Sequence, residues 1–193
     1  RFDTATLALV TDATNRLFSN DNPLLRLGRD IGMGGLGHMG VKLAKALGAE
    51  VTVFTRSEDK VNEAKRHGAD HVVVSTDEAQ MEAVAETYDF MLDTVPVEHD
   101  INPYLAALKY DGTHIMVGLM NGLEPPVQGA NLIFKRRVLA GSLIGGIAET
   151  QELLNFCAEH DITCDVEMIN MENINEAFER MKKGDVHYRF VID

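Results

Sequence analysis

Apolar residues along this chain follow two rhythms. From residue 31 onward, short and nearly unbroken apolar runs alternate with stretches in which apolar positions recur every three or four residues. The runs at 51–54, 71–74, 88–93, 113–118 and 138–142 predict strands. The stretches between them predict helices at 38–47, 57–67 and 78–85, and a further one closing at 105–108. On the first of these, Leu36, Gly40, Leu43, Ala44 and Leu47 share one face. Two helices end on a similar phrase, Leu47-Gly48-Ala49-Glu50 and His67-Gly68-Ala69-Asp70, in which glycine supplies the stop. Strand–helix alternation of this kind specifies an α/β fold, here a doubly wound parallel sheet of six strands.

After Gly145-Gly146 the rhythm changes. A helix at 149–160, a strand at 166–169, a helix at 174–183 and a strand at 188–192 do not extend the alternation and predict a separate layer or domain. Residues 1–30 are the least patterned, with a short strand at 6–10 and a short helix at 13–18 as the only suggestions. The first strand of the sheet should be central and apolar, yet Arg26-Leu27-Gly28-Arg29-Asp30-Ile31 stands in its place. Arg29 and Asp30 would each be costly to bury unpaired, so this strand is expected to be short and frayed, or not to form. The expected division is an unassigned segment 1–30, a nucleotide-binding domain 31–160 and a tail 161–193.

Charge narrows the range of partners. Thirty carboxylates against eighteen lysines and arginines give a formal charge of -12, which argues against nucleic acid or an anionic membrane as a general partner. No apolar run approaches the ~20 residues of a membrane span, and the opening residues lack the form of a secretory leader. Two cysteines, Cys157 and Cys164, are too few for a disulfide framework, and a cytoplasmic location is expected.

The chemistry begins at Gly32-Met33-Gly34-Gly35-Leu36-Gly37, a G-x-G-x-x-G turn between a strand position and a helix. Gly32 tightens the turn, Gly34 lets a pyrophosphate approach the backbone and Gly37 lets helix pack on strand, with Gly35 and Leu36 inside the same turn, and the helix that follows at 38–47 presents its N–H groups and dipole to the phosphates. A dinucleotide site in a Rossmann-type sheet is therefore expected. At the end of the second strand an NAD-selective site carries an acid, whereas here Thr55 holds that slot and Arg56, Ser57 and Lys60 offer donors to a 2′-phosphate. NADP(H) is the expected coenzyme. The same residues also read as a helix start, with Ser57 as N-cap and Glu58 and Asp59 favouring the dipole, and both can hold together.

Several stretches in order resemble the cofactor-binding half of zinc-dependent medium-chain alcohol dehydrogenases, in the cinnamyl-alcohol-dehydrogenase-like branch. They are the glycine turn with His38-Met39-Gly40, Leu92-Asp93-Thr94-Val95-Pro96-Val97, Gly141-Ser142-Leu143-Ile144-Gly145-Gly146, Leu154-Asn155-Phe156-Cys157-Ala158-Glu159, Ile174-Asn175-Glu176-Ala177-Phe178-Glu179-Arg180 and Tyr188-Arg189-Phe190-Val191-Ile192-Asp193. The resemblance implies that Thr94, Gly118, Ser142, Leu143 and Ile144 line the nicotinamide and its ribose, that Arg189 reaches the phosphates, and that the tail folds into a GroES-like catalytic domain. It also implies NADP(H) preference from the Ser/Thr-x-Ser-x-x-Lys pattern, an alcohol or aldehyde substrate, and a homodimer built on the sixth strand and on residues 127–134, read as an apolar edge. A zinc ion is expected for the intact family member and not for this chain. Residues 1–30 hold no cysteine or histidine, and His67 and His71 are separated by Gly68 and so do not share a helix face. Three readings follow: the cofactor domain of an NADP-dependent alcohol dehydrogenase, a coenzyme-binding module without chemistry, or an inactive truncated product.

Overall fold

The computed structural model describes residues 34–118 and 121–192, together with the backbone of 26–30. The expected strand at 6–10, the helix at 13–18 and Gly32 lie outside the described residues. Six parallel strands form the main sheet: β1 (Arg26–Asp30), β2 (Glu50–Thr55), β3 (His71–Val74), β4 (Tyr88–Asp93), β5 (Leu108–Met116) and β6 (Val138–Gly141). Their order is β3-β2-β1-β4-β5-β6, so the winding reverses between β1 and β4, where ligands bind in such sheets. Helices α1 (Gly35–Ala46), α2 (Val61–Arg66), α3 (Glu78–Ala83), α4 (Asn102–Ala107), α5 (Gly129–Ile133) and α6 (Ile147–Glu159) provide the connections. The tail holds β7 (Glu167–Ile169), α7 (Ile174–Lys182) and β8 (Phe190–Ile192), with β7 and β8 forming a small sheet of their own.

Apolar packing lies on both faces of the main sheet, as the unbroken runs require. Val51, Val53, Phe90 and Leu92 join Met39, Val41 and Leu43 of α1 and Leu153 and Cys157 of α6 in one cluster. Phe54, Met91 and Tyr88 join Ile101, Tyr104 and Leu105 in the other. Tyr88 and Phe90 would share a face in a regular strand. A register shift between them in the β4–β5 pairing accompanies their separation onto opposite faces.

Of the two alternatives for the segment with Arg29 and Asp30 the structure has the short strand, five residues long, central, and laddered in parallel to β2 on one side and β4 on the other. Backbone pairing on both edges supplies what the side-chain pattern lacks. Two expectations need correction. Helix α1 begins at Gly35 rather than at 38, so the second half of the glycine turn is already helical. Residues 127–134 are not an edge strand: α5 occupies most of them, with Leu132 packed on the second cluster and Ile133 and Phe134 outside it, 75% and 79% exposed. The predicted stops hold, since Gly48 and Gly68 adopt φ of 84° and 102°, which a β-carbon would disfavour.

Candidate functional site

In a parallel sheet all strands end on one edge, and the expected site residues gather along it. The edge begins at Gly34, the N-cap of α1, whose first-turn N–H groups have no acceptor within the helix. A cleft of about 450 Å³ opens between Gly34, Gly35, Leu36 and Gly37 on one side, Thr94 and Pro96 after β4 on the other, and Arg189 from the tail. The Arg189 guanidinium donates to the Gly35 carbonyl (3.3 Å), and a β-carbon on Gly35 would lie 3.3 Å from it.

Asp93, at the end of β4, organises the opposite wall. Its side chain is fully buried, with Oδ1 accepting the Val95 N–H (2.9 Å) and Oδ2 lying 3.2 Å from His99 Nε2 and 3.4 Å from His114 Nε2. Burial would raise this carboxyl, but the contacts with His114, His99 and Val95 outweigh it and hold the group well below the usual carboxylate range. The Asp93 carbonyl in turn accepts from Val117 N–H (2.8 Å) and Gly118 N–H (3.2 Å), drawing the end of β5 against residues 94–95. The approach is so close that a β-carbon on Gly118 would lie 2.0 Å from the Val95 carbonyl oxygen. Thr94 and Gly118 are thus brought together. The Thr94 hydroxyl beside the cleft is buried, with no hydrogen-bond partner among the described residues.

The remaining expected residues sit at neighbouring strand ends and do not line this cleft. Thr55 is buried and closes the turn after β2, accepting from Ser57 N–H (3.3 Å) and donating to the Ser57 carbonyl (3.1 Å). The acid's slot is therefore filled by a residue turned to local structure. Arg56 and Lys60 are exposed, and Ser57 precedes a 3₁₀ turn (Glu58–Lys60) without using its side chain as a cap. After β6, the Ser142 N–H extends the ladder to the Met116 carbonyl (3.0 Å), with Leu143 and Ile144 exposed beyond it.

Pro96, Asp93 and His38 belong to the site or its support, and the sequence pattern did not single them out by role. Asp93 carried a signal, a carboxylate closing the apolar run 90–92. Among the described residues no group of three or more His, Cys, Asp or Glu is placed to hold a metal ion. His67 faces Tyr188 and Asp165, whereas His71 pairs with Glu50. These residues do not fit a zinc centre.

Residues 35–159 match the family described as "Zinc-binding dehydrogenase". The chain belongs to that family. It is 53% identical over 163 residues to aldehyde reductase YahK of Escherichia coli K12, covering 84% of this chain and 47% of that protein. The structure of a cinnamyl alcohol dehydrogenase from Sorghum bicolor superposes with a TM-score of 0.88 at 41% identity, over 98% of this chain and 53% of the other. The CAD of Helicobacter pylori, solved in complex with NADP(H), superposes with a TM-score of 0.79 at 35% identity, over 97% and 53%. The chain thus spans about half the length of the relatives it matches. It is a cofactor-binding module of this dehydrogenase family. Among the described residues no helix is long and apolar enough to cross a membrane.

Proposed function

We propose that this chain is the NADP(H)-binding portion of an alcohol dehydrogenase that interconverts primary alcohols and aldehydes, aromatic ones of the cinnamyl type among them. The observation that carries it is the end of β2. Where an NAD-selective site needs an acid, Thr55 is buried in a turn, and Arg56, Ser57 and Lys60 follow with donors suited to a 2′-phosphate. The similar CAD of Helicobacter pylori holds NADP(H), which supports the same coenzyme.

In this reading Gly34, Gly35, Leu36 and Gly37 meet the pyrophosphate through the N-terminus of α1, with Arg189 alongside. Thr94 and Gly118 face the nicotinamide ribose, and the buried Thr94 hydroxyl gains a partner there. Ser142, Leu143 and Ile144 cover the ring. The bound dihydronicotinamide supplies the hydride. The zinc ligands of the family are not among the described residues, so no catalytic step is assigned to them. The exposed Ile133 and Phe134 beside edge strand β6 support a homodimer. The free thiols Cys157 and Cys164 suit a reducing cytoplasm.

Calorimetric titration tests the coenzyme. NADPH should bind more tightly than NADH, and Arg56→Ala should weaken NADPH roughly ten- to a hundred-fold, the worth of one charge-assisted contact, while leaving NADH nearly unchanged. Equal losses for both would sink the assignment.

A further inference from the structure

A cluster of side chains ties helix α1 to the residue just before Arg189. His38 is wholly buried in the first turns of α1. Its Nδ1 donates to the Gly34 carbonyl (3.1 Å) and its Nε2 accepts the Asp165 N–H (3.2 Å), so both ring nitrogens are used by the neutral imidazole in one tautomer. Tyr188 lies flat on this ring, with centroids 4.4 Å apart and planes 18° apart. The Tyr188 hydroxyl donates to the Glu63 carboxylate and meets His67 Nε2 at 2.8 Å. Lys42 on α1 holds Asp165 at 2.5 Å. The tyrosine is thereby located from α1, from α2 and its end, and from the segment before β7. The next residue is Arg189, set across the Gly35 carbonyl.

We infer that His38 and Tyr188 are positioning residues for coenzyme binding: stacked, they set Arg189 over the glycine turn, so that a pyrophosphate meets this cation only while the tail is docked on α1. The inference rests on the NADP(H) reading above. The geometry supports it because the stack and the guanidinium contact are made by consecutive residues, 188 and 189, against the same first turns of one helix.

The test uses two ligands on the 193-residue chain. NADPH carries the pyrophosphate, whereas adenosine 2′-phosphate offers only the adenine, the ribose and the 2′-phosphate. Tyr188→Leu, which removes the stack, should raise the Kd for NADPH about ten-fold and leave adenosine 2′-phosphate within about two-fold. Arg189→Ala should give the same pattern, and the double variant should be no weaker than Arg189→Ala alone. Tyr188→Phe keeps the ring and should restore NADPH binding to within about three-fold of the parent. His38→Asn, which removes the other ring, carries the expectation of Tyr188→Leu and serves where that variant does not fold. Equal losses for the two ligands, or additive losses in the double variant, would overturn the inference. If the unmodified chain binds neither ligand, the coenzyme reading fails. If it binds both and the ratio does not move, only the positioning role fails.

Discussion

Thr94 separates a residue held for the fold from one held for a ligand. Its hydroxyl is buried without a partner among the described residues, an arrangement that costs stability in the ligand-free chain. Thr94→Val has nearly the same shape and removes that cost. Differential scanning calorimetry should therefore find the ligand-free variant at least as stable as the parent, with NADPH affinity lowered about two- to ten-fold, the worth of one neutral hydrogen bond. A variant destabilised without any change in affinity would assign the hydroxyl to the fold alone. Asp93 is the contrasting case, since its carboxylate and carbonyl hold the ends of both β4 and β5.

Among the elements, α5 shows most clearly what the pattern could and could not convey. Leu132, Ile133 and Phe134 form a continuous apolar triplet, which carries neither helical nor strand period, and the structure divides it between core and surface. A charge at Leu132 would therefore damage the second cluster of the monomer. One at Phe134 enters solvent in the monomer and meets its own copy in a two-fold contact. Phe134→Glu should accordingly release folded monomers, and light scattering that finds the parent already monomeric at tens of micromolar would refute the dimer. Strands β2 to β4 were legible because burial leaves an apolar run, whereas β5 was legible only from 113 on, since its first half, Leu108 to Gly112, holds the exposed Tyr110 and Asp111 and reads as a helix end and turn. β1 was not, because Arg29 and Asp30 contradict that rule. The glycine turn and the end of β2 stand out in the sequence because each is a run of neighbouring residues. The Asp93–His99–His114 group and the His38–Tyr188 stack join ordinary residues at spacings that match no local pattern.

For the whole molecule, acid is the expected weakness. Burial pushes the His38 imidazole down to about 4, with Lys42 and His67 acting in the same direction and the Gly34 carbonyl and Asp165 opposing them. Burial also lowers His67. Burial alone would raise Asp165, but the Lys42 contact outweighs it and the carboxyl is lowered. Each of these groups binds fewer protons folded than unfolded, so stability rises with pH through their titration. The His38 contribution is complete above pH 6.5 and is lost as pH falls towards 4. Its size is at most about 3 kcal/mol. Urea unfolding between those values should show the slope, and His38→Asn should flatten it. A parent whose midpoint is independent of pH in this window would contradict the buried neutral imidazole.

The contact between Arg189 and Gly35 spans 154 positions. On a ribosome, the turn and its helix emerge long before the arginine that completes the wall of the cleft. The sheet strands can pair as they appear, since each ladder joins segments already made by the time β6 is out. The nascent chain must therefore reach this stage without the full stabilisation a bound coenzyme provides, because mass action favours the folded state only once a site exists to bind. Bound coenzyme would then add its last increment of stability only when the tail docks on α1, after the sheet has assembled.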